Sequence, residues 1–204
     1  MSDVRPRASA GISFSRAQLQ AFTGGTIPDL LPDPTRLLLV GINPGLRSVA
    51  VQAHFAPRGN RFYPALYRAG IVDRLIDASA GFELADLAHL HERGIGITCL
   101  VARASARASD LDPDELRTAG RGFADRVAAI GPRVVAFLGI GAYRVAFDAP
   151  HATVGRQPVD LGGAETWVVP NPSGLNRHST TGDLARAYRE VAARAGITLV
   201  GDVG

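Results

Sequence analysis

The sequence predicts an α/β fold: a three-layer α/β/α sandwich with a mainly parallel central sheet. Short, mostly apolar runs at residues 36–40, 95–101, 134–138 and 166–169 have the pattern of strands buried on both faces. They alternate with segments of helical periodicity, and that alternation builds a parallel sheet covered by helices on both sides. Right-handed crossovers then bring the loops that follow the strands to one edge, where open α/β sheets bind their ligands.

Residues 1–11 are small, polar and Arg-containing and read as a flexible N-terminal tail, leaving 12–204 as a single domain without internal repeats. Residues 15–22 suit a short helix, and residues 24–35, with three prolines, a loop. The first strand, Arg36-Leu37-Leu38-Leu39-Val40, stops at Gly41, and a long loop follows from Ile42 to about Arg61. Residues 62–69, 73–78 and 83–92 read as helices before the second strand at 95–101. Asp112-Pro113-Asp114-Glu115 is a helix start, with Asp112 as cap, Pro113 in the first turn and Glu115 completing a capping box. Leu116, Ala119, Phe123, Val127 and Ile130 keep helical spacing up to Gly131-Pro132. The third strand leads through Gly139 into a helix near 142–147, a short strand is expected near Val159, and the last helix covers 180–195.

Composition narrows the chemistry. With 204 residues, 46% of them hydrophobic, the chain can bury a substantial core. Cys99 is the only cysteine, so no intramolecular disulfide, four-cysteine zinc site or cysteine-ligated cluster can form. The histidines show no HExxH pattern, and neither a metal nor another cofactor is expected. No apolar run reaches membrane-spanning length and no signal peptide is visible, so the expectation is a cytoplasmic monomer that does not engage a membrane. The net charge is +3, and all 22 basic residues are Arg. Genome base composition accounts for most of that bias, but its chemical consequences stand. Arg suits bidentate phosphate contacts, and without Lys no side-chain amine can form a Schiff base.

Two segments carry the functional signal. Gly41-Ile42-Asn43-Pro44-Gly45 follows the first strand, and Asn171-Pro172-Ser173-Gly174-Leu175-Asn176-Arg177 follows the fourth. Either alone reads as turn chemistry, but topology places both at the same sheet edge. The first segment, continued through Phe55 and Asn60-Arg61-Phe62, resembles the mismatch-specific uracil-DNA glycosylases, in the same branch of the uracil-DNA glycosylase superfamily as thymine-DNA glycosylase. The second resembles the other signature of the bacterial members. Order and spacing match from about residue 36 to 195, including Leu138-Gly139 before Ala142-Tyr143.

The resemblance implies a uracil-DNA glycosylase-like fold, double-stranded DNA with mismatched or damaged bases as partner, and removal of a flipped base. It implies that Asn43 holds the attacking water; an amide is no general base near neutral pH, so slow turnover is expected. Phe55 would stack on the extruded base, and backbone donors near Ile42 and Phe55 would meet its carbonyls. Gly45 stands where the strictly uracil-specific branch carries a tyrosine, which implies room for ethenocytosine or thymine. Asn60 and Asn171 would shape the pocket, Asn60 serving equally as a helix cap. Leu175 would wedge into the base stack, with Gly174 and Arg177 near the opposite guanine and the backbone. Ser48, Ser173 and Arg47 are candidate phosphate contacts, and Arg58 and Arg61 would extend the basic track. Cys99 replaces a polar or charged residue that relatives often carry, and reads as a small buried hydrophobe.

Lacking Lys, the enzyme would be monofunctional and stop at the abasic site. Other readings are a nucleotide-binding α/β enzyme, although the first loop is neither GxGxxG nor a P-loop, and a catalytically weak DNA-damage binding module.

Overall fold

A computed structural model of the chain describes residues 13–201; the expected tail at 1–11 lies outside the described residues. Five strands, β1 (Leu37–Gly41), β2 (Ile95–Cys99), β3 (Val134–Leu138), β4 (Gly155–Arg156) and β5 (Glu165–Val169), form one sheet in the order β2-β1-β3-β5-β4. All pairings are parallel except the antiparallel edge β4–β5. Every residue of β1, β2 and β3 is buried, which explains why those strands read as continuous apolar runs.

Side chains alternate across the sheet. Leu37 and Leu39 face one core with Phe62, Leu66, Leu90 and Tyr188, whereas Leu38 and Val40 face another with Phe123, Val127, Phe137 and Tyr143. Helices α3 (Phe62–Arg68), α4 (Leu84–Glu92) and α8 (Thr181–Arg194) therefore cover one face, and α5 (Pro113–Arg121), α6 (Phe123–Ile130) and α7 (Ile140–Ala146) the other. The three-layer sandwich is as expected. The short helices α1 (Arg16–Gln20) and α2 (Leu46–Val51) pack together beside these layers.

Four local expectations need correction. The loop from Ile42 to Arg61 contains α2, which starts at Gly45 without a side-chain cap. Residues 73–78 are irregular, and Asp77 Oδ1 accepts from Ser79 N at 2.9 Å in a local turn. The long helix after Asp112 is two helices divided at Gly122. Gly120 lets α5 approach α7 so closely that a Cβ there would sit 2.0 Å from Ala146 O. The short strand lies at Gly155–Arg156, while Val159 is exposed. No described helix is long and apolar enough to cross a membrane.

Candidate active site

Three strand ends converge as topology requires. Gly139, after β3, has φ +134°, and a Cβ on it would lie 3.4 Å from Asn171 Nδ2 and 3.5 Å from Ile42 Cδ1. Glycine there satisfies both the left-handed backbone and the close approach. Residues after β2 join them: Leu100 N and Val101 N donate to the carbonyls of Gly41 and Ile42, both at 2.9 Å, and Ser105 N donates to Pro44 O at 3.3 Å.

That neighbouring loop fixes Asn43. Its Nδ2 donates to Arg103 O (3.1 Å) and to Ser105 Oγ (2.8 Å). The buried Ser105 hydroxyl donates its own proton to Arg107 O at 2.6 Å, so it can only accept from Asn43. Both neighbours demand donors, and the amide orientation follows from hydrogen-bond polarity. Oδ1 receives no hydrogen bond from another described residue and is left to accept from a ligand or water. Sequence reasoning passed over Ser105, because a serine in an irregular loop carries no motif.

Phe55 has a left-handed backbone, φ +55°, which costs a bulky residue on the order of 1 kcal/mol or more. Its ring stacks on Phe62, centroids 3.9 Å apart at 22°, and Phe62 is fully buried. A Cβ on Gly41 would lie 3.3 Å from Phe55 Cζ and 3.4 Å from Cys99 Sγ, so glycine lets the ring overlie the strand end. Tyr63 Oη donates to His54 O (3.0 Å), and Ala56 N donates to Ser48 Oγ (3.3 Å), pinning both flanks of Phe55. Neither Ile42 N nor Phe55 N donates to another described residue.

Beneath Phe55, His54 is buried, its Nε2 3.0 Å from Pro28 O and its Nδ1 3.9 Å from Cys99 Sγ. Desolvation lowers the His54 pKa to about 4 and raises the Cys99 thiol to about 12. Both are therefore neutral near pH 7, and Cys99 is no thiolate. Arg126 completes this layer: it bonds Cys99 O at 3.1 Å, Thr98 Oγ1 and the Asp29 carboxylate, while Thr98 Oγ1 donates to Asp29 Oδ1 at 2.7 Å.

The remaining residues separate into exposed and structural ones. Gly45 has an ordinary φ of −77°, and a Cβ there would meet only Pro57 Cγ at 4.0 Å, so the backbone does not require glycine and a side chain would have space. Asn60 Oδ1 accepts from Phe62 N, the first N–H of α3, at 2.9 Å, while the N-cap position itself is Arg61. Ser48, expected at a phosphate, is 2% exposed, with its hydroxyl turned to Ala56 N. Arg47 donates to Ser79 O at 2.7 Å through Nη2 rather than standing free, and Arg61 is half-buried against the loop at 171–179. Arg47, expected at a phosphate, and Arg61, expected in a basic track with Arg58, thus both engage main-chain carbonyls of the fold. Arg58 and Arg177 are exposed, without hydrogen bonds or ion pairs to other described residues.

The second loop is ordered by its own polar groups. Asn171 Oδ1 accepts from Ser173 N (2.8 Å), Asn176 Nδ2 donates to Asn171 O (2.9 Å), and Leu175 N donates to Ser173 Oγ (3.3 Å). Gly174 and Arg177 are exposed, and Leu175 is 80% exposed, the most exposed large hydrophobic among the described residues. An open cleft between residues 100–102 and the start of α5 is rimmed by Asp112, Asp114 and Glu115 and is electrostatically unsuited to a polyanion. Among the described residues no group of His, Cys, Asp or Glu is arranged to hold a metal.

The sequence profile of the family described as "Uracil DNA glycosylase superfamily" matches residues 28–193. The fold is similar to the solution NMR structure of a candidate uracil DNA glycosylase from Methanosarcina acetivorans, with TM-score 0.57 and 20% identity over 84% of this chain and 97% of that one.

Proposed function

The chain belongs to the uracil DNA glycosylase superfamily, whose members are hydrolytic DNA glycosylases, and from that premise we propose that it is a monofunctional enzyme of the mismatch-specific branch. Its substrate is double-stranded DNA carrying uracil, or a bulkier mismatched or damaged base, and it acts as a monomer built on a single domain.

The observation that carries the reading is the fixed amide of Asn43. With both Nδ2 protons committed to Arg103 O and Ser105 Oγ, Oδ1 can orient a water but cannot ionise to deprotonate it. The glycosidic bond must then break largely on its own. Its electron pair leaves with the base, the sugar becomes oxocarbenium-like, and the oriented water adds to the anomeric carbon and loses its proton to solvent. The unused N–H groups of Ile42 and Phe55 suit the charge that develops on the departing base. Phe55, backed by Phe62, offers the base a stacking platform. Space at Gly45 favours a pocket that tolerates a pyrimidine 5-substituent. Leu175 fills the gap in the stack, and Arg177 and Arg58 meet the phosphodiester chain.

The test is excision from oligonucleotide duplexes that place uracil, thymine, ethenocytosine or hypoxanthine opposite guanine or adenine, read by alkaline cleavage of the abasic site. Excision of uracil opposite guanine is expected, lost in Asn43→Ala while DNA binding persists. No excision of any base would refute the activity, and equal rates in wild type and Asn43→Ala would remove Asn43 from the mechanism. Borohydride trapping of a protein–DNA adduct would refute the monofunctional assignment.

A further inference from the structure

We infer that Arg61 is a positioning residue for strand insertion: its guanidinium braces the loop that carries Leu175 and ties it to the Phe55 platform. The inference rests on the glycosylase reading above, but its structural half can be tested separately.

Arg61 immediately precedes α3 and reaches one loop through four carbonyls. Its Nη2 donates to Ser173 O (2.8 Å) and Asn176 O (2.6 Å), its Nη1 to Ser179 O, and its backbone N to Pro172 O (2.9 Å). Among the described residues no carboxylate pairs with it. A guanidinium that serves only carbonyls is used for its shape. Its planar fork holds several donors at fixed angles, whereas an ammonium on a flexible stem is a point charge.

The brace is reinforced by backbone packing. A Cβ on Gly174 would lie 2.8 Å from Gly59 O, so the loops at 57–61 and 171–179 touch main chain to main chain. The next residue after Arg61 is Phe62, the ring beneath Phe55. Movement of the Leu175 loop is therefore transmitted to the stacking platform through two consecutive residues. Leu175 itself is exposed while its backbone N is held by Ser173 Oγ. An apolar side chain on a braced backbone is ready to enter a base stack, because the entropy of ordering the loop is lost during folding and not on DNA binding.

Two readouts test this on the full-length chain in Arg61→Lys, which keeps the charge, and Arg61→Ala. The first is single-turnover excision of uracil opposite guanine in duplex against the same strand alone. The second is amide hydrogen exchange at residues 173–177. Arg61→Lys is expected to lower the duplex-to-single-strand ratio roughly tenfold and to speed exchange at Leu175 and Asn176. Adding Arg61→Lys to Leu175→Ala should change that ratio little further, since both act on one step. Unchanged exchange in a folded Arg61→Lys protein overturns the brace, and faster exchange with an unchanged ratio overturns its role in insertion. If wild type excises no base, the glycosylase reading and the role in insertion fall together, while exchange still decides the brace. Should Arg61→Ala fail to fold, Arg61→Lys carries the comparison.

Discussion

At Asn43 the polarity of the neighbours matters more than burial. Ser105 spends its only proton on Arg107 O, and Arg103 offers a carbonyl, so both hold the amide in one orientation. Ser105→Ala removes one of the two and should slow excision roughly tenfold, the worth of one hydrogen bond, measured in single turnover. The pH profile follows from the same site. His54 is lowered to about 4 and Cys99 raised to about 12 by burial, so neither changes charge between pH 6 and 9. The excision rate should be flat across that range, and a bell-shaped profile would reveal an acid or base that Asn43 cannot supply. Stability should not be flat at lower pH. An unfolded histidine binds its proton near pH 6.5, whereas folded His54 refuses it until about 4. Stability therefore falls as pH drops through that window, by about 3 kcal/mol at its lower end. Urea unfolding of wild type and His54→Gln at pH 7 and pH 4.5 would show the loss in wild type and a smaller one in the variant.

Among the elements, the contribution of Gly120 is the easiest to test. A Cβ there would sit 2.0 Å from Ala146 O, so Gly120→Ala forces α5 away from α7 and should cost about 1–3 kcal/mol in thermal or urea unfolding. β1, β2, β3, β5 and α8 were legible in the sequence, because strands buried on both faces leave continuous apolar runs and α8 covers most of the helical stretch expected at 180–195. It missed α2, whose N-cap is Gly45 and whose length is six residues. It made a helix of 73–78, where the Asp77 turn and the grip of Arg47 on the Ser79 carbonyl decide the path. The candidate site was legible in part: Asn43, Phe55 and Leu175 lie in the segments that follow β1 and β5. Ser105, His54 and the inward turn of Arg61 come from contacts between segments distant in sequence, and that of Ser48 from a bond to Ala56 within the same irregular stretch, which no local pattern records.

Over the whole molecule, part of the positive charge is neutralised within the fold. Several of the arginines face carboxylates or carbonyls, including Arg103 on Glu115 and Arg194 on Glu165. Arg58 and Arg177 stand exposed without such partners, and two phosphate contacts predict a log–log salt slope of about −2 for DNA binding. Arg177→Ala should reduce that slope by about one unit, measured by fluorescence anisotropy between 50 and 200 mM salt; an unchanged slope would remove Arg177 from the phosphate contacts. The pairing of the two loops has a consequence for redesign. Because Arg61 reaches across to Ser173, Asn176 and Ser179, and Gly59 presses on Gly174, the base recognition and strand entry proposed for these loops would not be modular. A graft that imports either segment from another protein without its counterpart inherits half of a joint. Altered base preference should transfer only when residues 55–62 and 171–179 move together as one cassette.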